Sequence, residues 1–232
     1  MKIGGMLRML KIYMTKTIKK IEEKQLELLF SLISKERAER AKRFHSSCDA
    51  AIYALSELLA RYAIFDAFGI SEIKINSNKY GKPLLEEQKG MHFNVSHSGD
   101  IIVCAVSSYD VGIDIEFMRE CNYLKIAKRV FSESEYLFLH NSAEREKKER
   151  FFEIWTMKES YIKYIGKGFS LPLNSFSVDF ESKPIRVLDA DKKRTAAFIK
   201  QYKTDDLYKL AVCSNSYEFC DNIIELKYNE LF

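Results

Sequence analysis

Several of the patterns that mark large protein classes are missing from this chain. It has only nine glycines and three prolines in 232 residues, and the glycines form neither a Gly-x-Gly-x-x-Gly nor a Gly-x-x-x-x-Gly-Lys-Ser/Thr pattern. With no serine nucleophile elbow either, a kinase, a P-loop enzyme and a Rossmann dehydrogenase are disfavoured. The five cysteines, Cys48, Cys104, Cys121, Cys213 and Cys220, are scattered, with no Cys-x-x-Cys pair and no histidine set beside them. That spacing argues against zinc and against a disulfide framework, and for a reducing compartment. No apolar run approaches a membrane span, and the N-terminus lacks the apolar stretch and small-residue cleavage site of a secretory signal, so a cytoplasmic protein is expected, with no membrane partner. An excess of one sign of charge is missing too: 37 basic against 33 acidic residues leave a net of +4, too small to demand nucleic acid.

What is present is ample material for a core, with 47% hydrophobic and 13% aromatic residues. The spacing predicts a strand over Met9 to Met14, preceded by a weak extension, Met1 to Arg8. Helices follow over Ile21 to Ile33, over Glu36 to Phe44 with Ser34 as its N-cap, and over Ala50 to Phe68, ending at Gly69. Ile73 to Ile75 reads as a short strand and Asn76 to Pro83 as a loop. Phe93 and Val95 alternate into Ser96-His-Ser-Gly99, which places His97 at an exposed turn before the strand Ile101 to Ser107. Val111 to Glu116 is a further strand, Tyr123 to Val130 a helix, and Ser132 with Glu135 opens another as a capping box. After the long helix around Trp155, Phe176 to Val187, Ala196 to Tyr202 and Tyr208 to Cys213 read as strands. Helices followed by strands thus occur twice, with a seam near Ser107 to Asp110. The fold class is α+β: two related halves, 1–108 and 109–232, closely packed for want of any low-complexity linker.

The chemistry concentrates in Val111-Gly-Ile-Asp-Ile-Glu116 and Trp155-Thr-Met-Lys-Glu-Ser-Tyr-Ile-Lys163. In the first, Val111, Ile113 and Ile115 alternate with Gly112, Asp114 and Glu116, so both acids leave one strand face. In the second, Trp155, Glu159 and Lys163 recur every four residues and share one helix face. Three carboxylates form a sufficient oxygen set for Mg2+, which implies a polyanionic substrate. Asp114 and Glu116 can equally be a solvated strand face, Lys163 can form an ion pair with Glu159 one turn before it, and Trp155 suits core packing better than a ligand. His97 and Ser96 can cap local backbone or contact phosphate. The basic residues Arg37, Arg40 and Lys82 gain meaning only beside a magnesium site. A magnesium-dependent nuclease or phosphodiesterase fits the same acids, although no basic stripe interleaved with aromatics supports it. A non-catalytic domain that binds acidic proteins is a third reading.

Taken in order along the chain, Tyr80-Gly-Lys-Pro83, Phe93-Asn-Val-Ser-His-Ser-Gly99, Val111 to Glu116, Ile126-Ala-Lys-Arg-Val-Phe-Ser132, Trp155 to Lys163, Gly166-Lys-Gly168 with Leu171-Pro-Leu173, and Tyr208-Lys-Leu-Ala-Val-Cys213 closely resemble the Sfp-type phosphopantetheinyl transferases. The resemblance runs from about Leu10 to the C-terminus. It implies a monomer of two pseudo-symmetric α+β halves with coenzyme A and magnesium between them. The reaction it implies moves the phosphopantetheine arm of coenzyme A to a serine of an apo acyl or peptidyl carrier protein, releasing adenosine 3′,5′-bisphosphate. By position, Asp114, Glu116 and Glu159 are the implied magnesium ligands, and Lys163 supports the leaving phosphate. Arg37, Arg40, Lys82, Ser96 and His97 are the implied coenzyme A contacts. Glu159 is the first candidate for the carboxylate that accepts the serine proton, and Glu135 the second. The chain departs from the family pattern at Arg37 and Arg40, which replace lysines, and at Ile52 and Tyr53, which replace polar or basic residues. It departs also in the length of Glu120 to Lys125, where the carrier would dock.

Overall fold

The computed structural model describes residues 10–17, 20–86 and 90–232; the extension Met1 to Arg8 lies outside them. The first half contains β1 (Leu10–Lys16), α1 (Glu23–Leu32), α2 (Lys35–Ala41), α3 (Ser47–Phe68), β2 (Ile75–Ser77), β3 (Pro83–Leu85), β4 (His92–Ser98) and β5 (Ile101–Ser107). The second contains β6 (Val111–Phe117), α4 (Tyr123–Val130), α5 (Glu133–His140), α6 (Glu144–Ile165), β7 (Ser177–Asp179), β8 (Ile185–Leu188), β9 (Arg194–Tyr202), β10 (Tyr208–Ser214) and β11 (Ile223–Leu226). Each half is built on a 22-residue helix, α3 or α6, and glycines at φ 72° and 71°, Gly69 and Gly166, end them in left-handed caps. Gly166 is thus a helix stop. Among the described residues no helix is long and apolar enough to cross a membrane.

The layers follow from which side chains are apolar. One face of the first sheet, through Tyr13, Phe93, Ile102, Cys104 and Val106, packs on Ala54, Leu55, Leu58 and Leu59 of α3. Its other face, through Ile12, Met14, Val103 and Ala105, meets Val111, Ile113, Ile115, Leu210 and Val212 of the second sheet. The far face of that second sheet, with Ile199, Ala211 and Cys213, packs on Met157, Tyr161 and Ile162 of α6. The order is helix, sheet, sheet, helix. Cys104 and Cys213 are buried free thiols, raised in pKa by that burial, as small apolar core residues are.

The strand order in the first sheet is β11-β1-β5-β4 and in the second β6-β10-β9-β8-β7, while β2 and β3 form a separate hairpin. Strand β11 therefore crosses back: it pairs parallel with β1, with Ile12 opposite Ile223 and Thr15 opposite Leu226. Leu226, Tyr228 and Leu231 then pack on the first core. The final strand, although it comes last in the chain, thus joins the sheet of the first half. The hydrophobic pattern of a short strand does not encode which sheet it joins. Two expectations shift. Phe176 to Val187 is two short strands around a turn, and His97 lies within β4, the turn coming after it at Gly99 and Asp100.

The two sheets are also joined by side chains. One edge of β6 pairs antiparallel with β10. Along its other edge, alternate side chains of β4 accept the backbone N–H groups: Asn94 Oδ1 from Ile113 at 2.9 Å, Ser96 Oγ from Ile115 at 3.4 Å and Ser98 Oγ from Phe117 at 3.1 Å. Three polar residues with period two thus do the work of a missing neighbour strand. On the helix side, Gly112 is obligatory, because a Cβ there would lie 2.1 Å from the Ser160 carbonyl oxygen and 2.3 Å from the Tyr164 nitrogen.

Candidate active site

The close approach at Gly112 presses α6 onto β6, so the helix face carrying Trp155, Glu159 and Lys163 lies over the acids of the strand. Asp114 is not on a solvated face. It is 4% exposed, between β4, β6 and α6. Its Oδ1 accepts from Ser96 Oγ at 3.0 Å and from Lys163 Nζ at 2.6 Å, while Lys163 also donates to Ser96 Oγ at 2.7 Å. Lys163 thus bridges the two sheets instead of pairing along its own helix with Glu159. The Asp114 Oδ2 oxygen is buried with no hydrogen-bond partner among the described residues.

Glu116 repeats the arrangement two residues on, accepting from Ser98 Oγ at 2.9 Å. Trp155 packs its ring on Phe151 at 5.7 Å, beside the core of the second half. Glu159 makes no hydrogen bond or ion pair among the described residues. Burial first, then the charge of Asp114, raise its pKa to about 7 against the pull of Lys163. Burial also raises Asp114 and Glu116, and Asp114 adds to the rise at Glu116. His97 is exposed, and the surrounding protein together with the Lys163 charge keeps its pKa below the usual value.

As placed, no three His, Cys, Asp or Glu side chains among the described residues are set to hold a metal ion. The donor chemistry nevertheless fits a hard cation: three carboxylates whose charges oppose one another, and one buried oxygen without a partner.

The remaining expected residues divide. Arg40 is exposed on α2. Arg37 is part of a network with Tyr53 and Glu57 beside β4. Lys82 has a different occupation from the one expected: its ammonium donates to the carbonyls of Tyr164 at 2.9 Å and Val111 at 3.2 Å, closing the end of α6 against β6. A cation suits a helix C-terminus, and burial lowers its pKa. Glu135 is corrected as a proton acceptor. It is 1% exposed, and its carboxylate is occupied by Lys158 Nζ at 2.7 and 2.8 Å, by the Ser132 N–H at 2.8 Å and by the Val178 N–H at 2.9 Å. A carboxylate so enclosed cannot meet a substrate. Asn94 and Ser98 belong to the same ladder, and the polar period in Asn94-x-Ser96-x-Ser98 is the sequence signal for it.

Fold and site together define a class. The chain belongs to the 4′-phosphopantetheinyl transferase superfamily, whose family model matches residues 110–213; the model of the 4′-phosphopantetheinyl transferase N-terminal region matches residues 20–109. It is an enzyme of that transferase class. Within the class it is of the Sfp type. A 4′-phosphopantetheinyl transferase from Bacillus subtilis is 39% identical over 222 residues, covering 95% of this chain and 97% of that one. 4′-Phosphopantetheinyl transferase Sfp from Bacillus subtilis (strain 168) is 37% identical over 224 residues, covering 96% and 100%. 4′-Phosphopantetheinyl transferase gsp from Aneurinibacillus migulanus is 36% identical over 208 residues, covering 89% and 86%.

Proposed function

We propose that the protein transfers the 4′-phosphopantetheine group of coenzyme A to a serine of an apo acyl or peptidyl carrier protein, with Mg2+, and releases adenosine 3′,5′-bisphosphate. It acts as a monomer in the cytoplasm, with neither nucleic acid nor membrane as a partner. The observation that carries this reading is the junction of Ser96, Asp114 and Lys163, one residue from each of β4, β6 and α6, with Glu116 and Glu159 beside it. Such a place suits a ligand bearing several phosphates and lying between the two halves.

Asp114, Glu116 and Glu159 would hold magnesium, which supplies positive charge where the phosphoanhydride breaks. The chain's own residues provide positioning and electrostatics. Lys163, held by Asp114 and Ser96, places its ammonium where the leaving phosphate gains charge. Ser96 and His97 offer polar groups along β4, and Arg37 and Arg40 offer cations from α2, to the phosphates of coenzyme A. Glu159 takes the proton of the carrier serine, directly or through a water.

The test is to incubate the protein with coenzyme A, Mg2+ and apo carriers of several types and to weigh each intact carrier. One added phosphopantetheine, abolished by chelator, is expected. Carriers that all stay unmodified would overturn the reading, and metal-dependent cleavage of DNA would favour hydrolysis of phosphodiesters instead.

A further inference from the structure

Glu57 lies on α3, outside the junction of acids, and is 3% exposed. A buried carboxylate needs cations, and it has two, from different helices. Oε1 meets Arg61 Nε and Nη2 at 2.7 Å, one turn along α3. Oε2 lies 2.8 Å from Arg37 Nε on α2, an ion pair whose N–H is not aimed along a hydrogen bond. Because Arg61 holds one oxygen, Glu57 cannot rotate away from Arg37.

Arg37 is fixed from three sides. Besides Glu57, its Nη2 donates to the Tyr53 carbonyl at 3.2 Å, and its guanidinium carbon stands 3.9 Å from the centre of the Tyr53 ring. Its side chain is still 30% exposed, and Nη1 has no partner among the described residues. Arg37, Glu57, Phe93 and Val95 line a 70 Å³ cavity. Val95 and His97 share one face of β4, about 7 Å apart at two residues' spacing. A planar donor is therefore held rigid on the strand face that leads to His97, with an unused edge.

We propose that Glu57 is a positioning residue that holds Arg37 as a preorganised fork for a phosphate of the substrate, and so sets affinity for coenzyme A and not turnover. This rests on the function proposed above. Tyr53 is part of the same device, since it supplies the surface on which a guanidinium can stack and an ammonium has no plane to match. Affinity gained in this way comes from donors that need no ordering when the anion arrives.

The test measures coenzyme A binding by calorimetry on the full chain without carrier, beside steady-state rates with apo carrier. Glu57→Gln is expected to weaken binding about tenfold through loss of the ion pair that holds Arg37, while kcat at saturating coenzyme A falls less than twofold. Arg37→Ala should lose at least as much, and adding Glu57→Gln to it should cost nothing more. Wild-type affinity in a folded Glu57→Gln protein, or losses that multiply in the double variant, overturns the proposal. If Glu57→Gln fails to fold, Arg37→Lys decides: affinity close to that of Arg37→Ala supports the fork, and wild-type affinity refutes it. A wild-type protein that does not bind coenzyme A overturns the proposed function itself, a result distinct from an unaffected variant.

Discussion

Ser98 stands to Glu116 as Ser96 stands to Asp114. Each serine hydroxyl accepts the N–H of the residue that follows the acid and donates to the acid itself, at 2.9 Å for Ser98 and 3.0 Å for Ser96. One polar strand therefore sets both the path of β6 and the direction of its two carboxylates. Structural and chemical roles are merged in these hydroxyls, which is why the acids can be carried on a strand with no backbone neighbour on that side.

Lys163 links this ladder to α6 through Asp114 and Ser96. Replacing it with alanine should lower kcat by about 10² or more, the scale for losing a preorganised charge at a reacting group. Coenzyme A binding should weaken much less. Steady-state kinetics beside calorimetry separates the two, and a pure loss of affinity would move Lys163 to the binding residues.

Glu159→Gln should abolish transfer yet stabilise the metal-free protein in alkaline buffer. The folded carboxyl has a pKa of about 7 against an ordinary value of 4.5. Between those values the folded state binds more protons than the unfolded one, so stability falls as pH rises through the window. Glutamine removes that loss. In chelator, the variant should melt above the wild type at pH 8, by about 2 to 4 °C for each kcal/mol, and together with it at pH 4. Equal melting at pH 8 would contradict the burial of Glu159 beside Asp114.

Gly112→Ala should both destabilise and inactivate. Its Cβ would meet backbone atoms of α6, not the end of a flexible side chain. Helix and strand must then part, at about 1 to 3 kcal/mol or more, and Glu159 and Lys163 move away from Asp114. Urea unfolding and transfer assays on the same sample check the two effects.

The buried pair Lys158 and Glu135 gives a third kind of result. Lys158 is fully buried, and its partners are Glu135 and the Phe176 carbonyl. Lys158→Met alone leaves an unpaired buried carboxylate and should cost about 3 to 5 kcal/mol. Combining it with Glu135→Gln should recover part of that stability and retain kcat within a few fold, as measured by denaturant titration and carrier modification. A loss of kcat that follows Glu135 whatever stands at 158 would restore it as a proton acceptor.

Local signals were legible in the sequence. The Ser34 cap, the Ser132 and Glu135 capping box and the glycine stops at Gly69 and Gly166 all stand as their residue types dictate. Partners distant in sequence were less so. The same-face spacing of Glu159 and Lys163 allowed an ion pair along the helix, but the burial of Asp114 by another strand captured the lysine. The capping box gave the start of α5 but not the enclosure of Glu135, because Lys158 reaches it from another helix. Tyr80-Gly-Lys-Pro83 could be read as a loop, whereas the carbonyls that hold Lys82 belong to Tyr164 and Val111.

The parallel pairing of β11 with β1 bears on how the protein is made. Residues 10–16 leave the ribosome long before residues 223–226, so during synthesis the first half waits with β1 as an open edge. Its fourth strand is added only after the second half has been made, and contacts of so long a range form slowly.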